Sequence, residues 1–296
     1  MEAPTPVSSL IHAATLVTAG VYLLARLGGN SLLNVGGVLI ISTTTLLIAG
    51  VVGLGQTDLK RTIAFSTCSQ IGYIVLGLGA GNPGTGIFLL FTHAIYKALL
   101  FMCAGAVIHS AGNNQDARLL GAASVILPAS KQLFVAASLA LCAFPASSGD
   151  YSKDMLVEQT SYSYYTLQQS CWVGALIGTV LTGAYSARLL RIVYGGEPRA
   201  TALAPAHDIP GPVLCVLTLL GVASYASGAI STELFLASIT STRPSNLTHI
   251  FNGEQALTPV ATLLPLVCAV FGLFVGFQTS AGNTGPLASL AFHQGL

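Results

Sequence analysis

Four places in this sequence set ionisable side chains inside or beside long apolar runs. Lysine or aspartate at the middle of a membrane span costs about 3 kcal/mol on insertion scales, so such residues pair, face a wet cavity or carry ions. In THAIYKALLF, His93 and Lys97 are four apart and lie one above the other on one helix face. A neutral lysine there can accept a proton from a histidine that titrates near neutrality. The plain alternative is a Lys97 that anchors the helix at the surface while His93 bonds to packing partners. In GDYSKDMLVE, Lys153 is expected in the first turn of a helix, where the dipole disfavours a cation. Asp150, Asp154 and Glu158 recur at i, i+4 and i+8 and favour the charged form; a surface cap explains Asp150 and Asp154 equally well. In QTDLKR, Asp58, Lys60 and Arg61 read first as an interfacial flank, and His12 in SSLIHAATL is a lone histidine in a first span. Lys131, close to Pro128, faces either the same axis or the membrane surface.

The elements that must position these residues are transmembrane helices. Of 296 residues 53% are hydrophobic and 7% charged, against about 25% charged in a soluble domain. Continuous apolar runs of roughly 20 residues, rather than alternating ones of about ten, indicate helices and not a barrel. They fall near 7 to 26, 33 to 54, 63 to 80, 86 to 109, 169 to 194, 211 to 229 and 259 to 277. One further helix, beginning near 125, is expected to break at AFPASSGD (143 to 150) and resume as SKDMLVE; Pro145, the Ser-Ser-Gly run and Asp150 stop one half and cap the next. The sequence thus predicts an all-α polytopic membrane protein of about eight transmembrane helices. Residues 230 to 256 are expected to form a surface loop or a short interfacial helix, with a glycosylation-type triplet at Asn246, Leu247 and Thr248.

This arrangement puts Lys60, Arg61, Arg118, Arg188, Arg191 and Arg199 on one side and only Arg26 and Arg243 on the other, which marks the first side as the matrix or cytoplasmic one. A formal net charge of +1 supplies no basic surface for nucleic acid. The six cysteines are widely separated, with no CxxC pair, and read as small buried hydrophobes. Nor does a glycine loop with the dinucleotide-binding pattern occur, so no cofactor or metal is expected on this chain.

The same residues carry a resemblance to the antiporter-like subunit 5 family of respiratory complex I, the NADH:ubiquinone oxidoreductase. MEAPTPVSSLIHAATLVTAGVYLLAR, QTDLKRTIAFSTCSQIGYIVLGLG, THAIYKALLFMCAGAVIH, SKDMLVE and TGAYSARLLRIVYGG follow one another in the family's order. By that resemblance His12, Lys60, His93 and Lys97 fall on the family's central hydrophilic axis and second half-channel, Lys153 on the lysine of its broken helix, and Asp116 on an acidic residue between two spans. Asp58, Asp150, Asp154, Glu158 and Lys131 are the tuning candidates. Leu89 stands where the family usually has a second histidine, and Asp150 and Tyr151 add an acid and a hydroxyl near Lys153.

The resemblance implies an antiporter-like domain over residues 1–200 with the proton half-channel, followed by C-terminal helices and a polar loop over 201–296. It implies proton translocation coupled to quinone reduction in the mitochondrial inner membrane, or alternatively a bacterial plasma membrane. FMN, iron-sulfur clusters and ubiquinone would sit elsewhere in the complex. The partners implied are other membrane subunits, including subunit 4, membrane lipids, and a separate polypeptide with the N-terminal half of subunit 5. The chain starts midway through the family's pattern, so it is expected to be the later half of a split subunit, or else a truncated sequence. Two other functions remain open: a subunit of a multi-subunit cation/proton antiporter, and a non-conducting scaffold of the membrane arm.

Overall fold

The computed structural model describes residues 3–27, 35–118, 120, 123, 127–161, 166–195, 209–241 and 259–279. Arg199, Arg243, the Asn246 to Thr248 triplet and most of the polar segment around it lie outside the described residues. Every named element is helical. The first is α1 (Thr5–Leu10), which runs through a π-helical segment (Ile11–Thr15) into α2 (Leu16–Leu27). Then come α3 (Val35–Gly55), α4 (Leu59–Gly79), α5 (Pro83–Ser110) and α6 (Pro128–Leu141). A second π segment (Asp150–Asp154) leads into α7 (Met155–Ser161), followed by α8 (Thr166–Tyr194), α9 (Gly211–Ser241) and α10 (Pro259–Thr279).

Local chemistry fixes the starts. Proline opens α1, α5 and α6, where its missing N–H is one of the orphan donors anyway. Asp58 caps α4, its carboxylate accepting from the backbone N–H of Lys60 at 2.9 Å and of Arg61 at 3.4 Å.

The expected count of about eight transmembrane helices does not hold. Among the described residues five helices are long and apolar enough to cross a membrane: Val35–Gly55, Leu59–Gly79, Pro83–Ser110, Thr166–Tyr194 and Gly211–Phe235. Two shorter apolar helices, Leu16–Leu27 and Leu263–Thr279, accompany them. The difference has a physical cause. Hydropathy marks apolar content and not helix length, and the π segment at Ile11–Thr15 leaves 12 residues of regular helix in α2. The break divides the other candidate into 14 residues of α6 and 7 of α7, each too short for about 30 Å of hydrocarbon.

α3, α4 and α8 form one side of the bundle, and α5, α6 and α9 the other, with α4 against α5 between them. α8 and α10 cross very closely. A Cβ on Gly272 would stand 2.1 Å from the Val180 carbonyl, and one on Gly276 2.2 Å from that of Ala184, so GLFVG is a small-xxx-small contact of the kind that lets membrane helices meet backbone to backbone. At the end where α4 begins, the backbones of Asp58 and Asp116 pair: Leu59 N–H donates to Gln115 O at 3.0 Å and Ala117 N–H to Thr57 O at 2.8 Å. That tie places Lys60, Arg61 and Arg118 at one end of the bundle.

Candidate functional site: buried lysines around a broken helix

α4 and α5 both bury polar faces. On α5, Thr92, His93, Tyr96 and Lys97 are enclosed, His93 at 1% exposure and Lys97 at 0%. The Lys97 ammonium donates to the Ser66 hydroxyl of α4. The His93 ring stands edge-on to that of Tyr96, centroids 5.5 Å apart at 90°, and its Nε2 has no hydrogen-bond partner among the described residues. Leu89, one turn earlier on α5, is fully buried apolar packing.

The break is built from strained backbone. After α6 the chain passes through Ala143 (φ 59°) and Ala146 (φ 64°), left-handed conformations that cost a residue with a Cβ about 1–2 kcal/mol. Pro145 between them is exposed, and helix resumes at Ser148. The Asp150 carboxylate accepts from the Ala146 N–H at 3.0 Å, which holds the turn. Lys153 therefore lies in the second turn and not, as expected, in the first. The helix dipole falls off within one turn, so its effect on Lys153 is weaker than that expectation assumed.

Burial and an aromatic face act on Lys153 instead. It is fully buried in the π segment, with Nζ 5.1 Å from the centroid of the Tyr73 ring. That is cation–π range. The Tyr73 hydroxyl donates to Ala175 O at 2.7 Å, tying α4 to α8. Asp154 is 7% exposed beside it, yet among the described residues neither Lys153 nor Lys97 has a carboxylate within ion-pair distance; the two recorded ion pairs are Arg61–Asp58 and Arg118–Asp116. Thr92 and Ser152 hydroxyls meet at 2.7 Å, joining the His93 turn of α5 directly to the residue before Lys153.

The other candidates lie farther out. Lys60 is buried at the start of α4 and donates to Ala3 O at 3.3 Å. His12 sits half-buried in the first π segment, which packs on α5. Glu158 is half-buried on α7, and Lys131 is exposed in the first turn of α6. Asp58 is a helix cap. Asp116 holds Arg118 with bonds of 2.7 to 3.2 Å; these bonds keep its carboxyl below the usual range. Whatever stability the pair gives is present at neutral pH and lost as pH falls through that lowered value.

Sequence reasoning passed over Ser66, Gln70 and Tyr73 on α4 and Tyr185 on α8, all buried. Their signal was available: Ser66, Gln70 and Tyr73 are spaced four and three apart within an apolar span, a polar stripe on one helix face. Among the described residues no group of three or more His, Cys, Asp or Glu side chains is placed to hold a metal ion.

Buried cations around a broken helix in an all-α bundle are an arrangement that membrane transport proteins use. Residues 1–182 match the family described as NADH:quinone oxidoreductase/Mrp antiporter, transmembrane region, and the chain belongs to that family. It is 41% identical over 289 residues to NADH-ubiquinone oxidoreductase chain 5 of Phytophthora infestans, a match spanning 94% of this chain and 43% of that protein. The same subunit of Mycosarcoma maydis is 39% identical, over 92% of this chain and 42% of the relative. The chain thus spans about two fifths of the length of these relatives. A structure of the Mrp complex from Dietzia sp. DQ12-45-1b superposes with a TM-score of 0.70 at 25% identity, covering 99% of this chain and 34% of that one.

Proposed function

We propose that this chain is a proton-translocating, antiporter-like subunit in the membrane arm of NADH:ubiquinone oxidoreductase, in the mitochondrial inner membrane. The observation that carries the reading is the pair of fully buried lysines, Lys97 and Lys153, neither held by a carboxylate among the described residues. A permanently charged lysine in such a place is expensive; one that gains and loses a proton has a use for the site. Residues 1–200 carry the path, and the described helices after residue 200, Gly211–Ser241 and Pro259–Thr279, pack beside it. His93 exchanges protons beside Lys97; Lys60 and His12 lead toward the end where α4 begins; Asp58, Asp150, Asp154 and Glu158 tune the charges. Lys131, exposed, adds surface charge only.

Moving one proton against about 180 mV costs roughly 4 kcal/mol at 2.3 kcal/mol per 100 mV. The energy comes from quinone reduction elsewhere in the assembly, whose FMN, iron-sulfur clusters and ubiquinone lie on other subunits. The proposed neighbours are a subunit-4-type chain, the remainder of subunit 5 and lipid. A second reading, a subunit of a multi-subunit cation/proton antiporter, draws on the likeness to the Mrp complex; co-purification with flavin and iron-sulfur subunits separates the two.

Lys97→Ala tests the primary reading. The substitution removes a buried cation costing about 3 kcal/mol, so insertion and assembly should hold or improve while the proton-to-electron ratio falls by the share this subunit carries. An assembled variant with the parent ratio would overturn the assignment.

A further inference from the structure

Ser66, Gln70 and Tyr73 lie on one face of α4, and the two ends of this stripe touch the two buried lysines. Ser66 accepts from Lys97 Nζ. Tyr73, two turns along, presents its ring to Lys153 Nζ. Gln70 sits between them at 0% exposure, and neither its Nε2 nor its Oε1 has a hydrogen-bond partner among the described residues. Facing the stripe from α8 is Tyr185, 1% exposed and close to Thr182, Gln70 and Ser66; among the described residues the Tyr185 hydroxyl has no partner in bonding geometry. Buried polar atoms are paired in nearly all folded proteins, by protein groups or by ordered water. Gln70 and Tyr185 thus lie near each other without bonding geometry among the described residues, on the stretch of α4 between the two lysine contacts, where ordered water would complete the pairing of both.

We propose that Gln70, together with the Tyr185 hydroxyl, is the relay between Lys97 and Lys153. The inference rests on the proton-path reading above and adds the segment joining its two lysines. In the transfer, the Ser66 hydroxyl turns from the Ile63 carbonyl to which it donates at 2.8 Å; one N–H bond of the Lys97 ammonium breaks and Ser66 takes that proton, while its own passes to water held by Gln70 and Tyr185. Each member of the chain receives one proton and releases one. At the far end an O–H bond breaks and an N–H bond forms on the neutral Lys153 amine. No electron moves; the Gln70 amide stays neutral and intact, donating through Nε2 and accepting at Oε1. The positive charge leaves Lys97 and arrives over the Tyr73 ring, whose face favours a cation.

Gln70→Leu, of similar volume, tests this in the assembled complex. Replacing an unpartnered buried amide by an apolar group of the same shape is neutral or stabilising, so a packing role predicts no change in assembly or pumping. The relay predicts normal assembly and NADH oxidation with the proton-to-electron ratio reduced to that of Lys97→Ala, and recovery of at least about half the loss in Gln70→Asn. If Lys97→Ala lowers the ratio and Gln70→Leu does not, the relay is overturned and the wider reading stands. If neither lowers it, both fall. Should Gln70→Leu fail to assemble, Tyr185→Phe, which removes a single oxygen, decides: a reduced ratio supports the relay and the parent ratio overturns it.

Discussion

Replacing Lys153 by arginine is expected to yield a complex that assembles, oxidises NADH and pumps fewer protons. Arginine keeps the charge and stacks on aromatic faces at least as well as lysine, so the contact with Tyr73 at 5.1 Å survives. What arginine cannot do is lose its proton at any physiological pH. Methionine is the complementary change. It preserves much of the apolar stem in a fully buried position and removes the group that binds the proton. If Lys153 alternates between charged and neutral forms, both variants stop exchange to the same extent, and the methionine variant assembles. A purely structural cation gives the reverse ordering, with arginine nearly silent and methionine harmful to assembly. Proton pumping at matched electron-transfer rate and matched amounts of assembled complex separates the two. Arginine pumping like the parent while methionine fails to assemble would make Lys153 an anchor.

Gly149→Ala is expected to abolish assembly. The helix restarts against the end of α6 so tightly that a Cβ on Gly149 would lie 1.9 Å from the Ala140 carbonyl oxygen and 3.2 Å from the Ala143 Cα. Both neighbours are backbone, and the intervening loop already holds two alanines at positive φ, leaving little freedom to yield. The penalty exceeds the roughly 1–3 kcal/mol of ordinary overpacking. Gly50→Ala is the control, since its Cβ meets the side chain of Leu181 at 3.0 Å, which can rotate away. Native electrophoresis of solubilised membranes should show the complex at near-parent level for Gly50→Ala and absent for Gly149→Ala. Parent-level assembly of both would mean that the two halves of the broken helix are not locked together as described.

The charged residues of the site were legible because burial makes a lysine conspicuous. Lys97 and Lys153 stand out in apolar surroundings at the level of sequence, and Pro145 with the Ser-Ser-Gly run announces the break. The uncharged partners were not conspicuous. Ser66, Gln70 and Tyr73 occupy STCSQIGY, where small and polar residues also serve helix packing, and only the geometry puts the Gln70 amide on the face between the Ser66 contact with Lys97 and the Tyr73 contact with Lys153.

Helix lengths misled for a related reason. Hydropathy measures how apolar a stretch is and carries no information on where i→i+4 hydrogen bonding gives way to wider turns. At Ile11–Thr15 and Asp150–Asp154 the chain stays helical in the wider π form, a feature often associated with functional sites, and an apolar window runs straight through it. The same windows gave no hint that GLFVG of α10 would be a backbone-close crossing on α8. Asp58 shows the opposite balance. Read as an interfacial flank, it is a helix cap whose backbone pairs with that of Asp116, so local sequence found its setting, and only the long-range pairing needed the structure.

The most direct test of a single path through both lysines is a cycle of proton-to-electron ratios for Lys97→Ala, Lys153→Met and the double variant, each measured on the same amount of assembled complex. Groups that act in series are non-additive. The account predicts that each single substitution lowers the ratio by the same amount and that the double variant falls no further. A double variant whose loss is the sum of the two, or a single variant at the parent ratio, would contradict it.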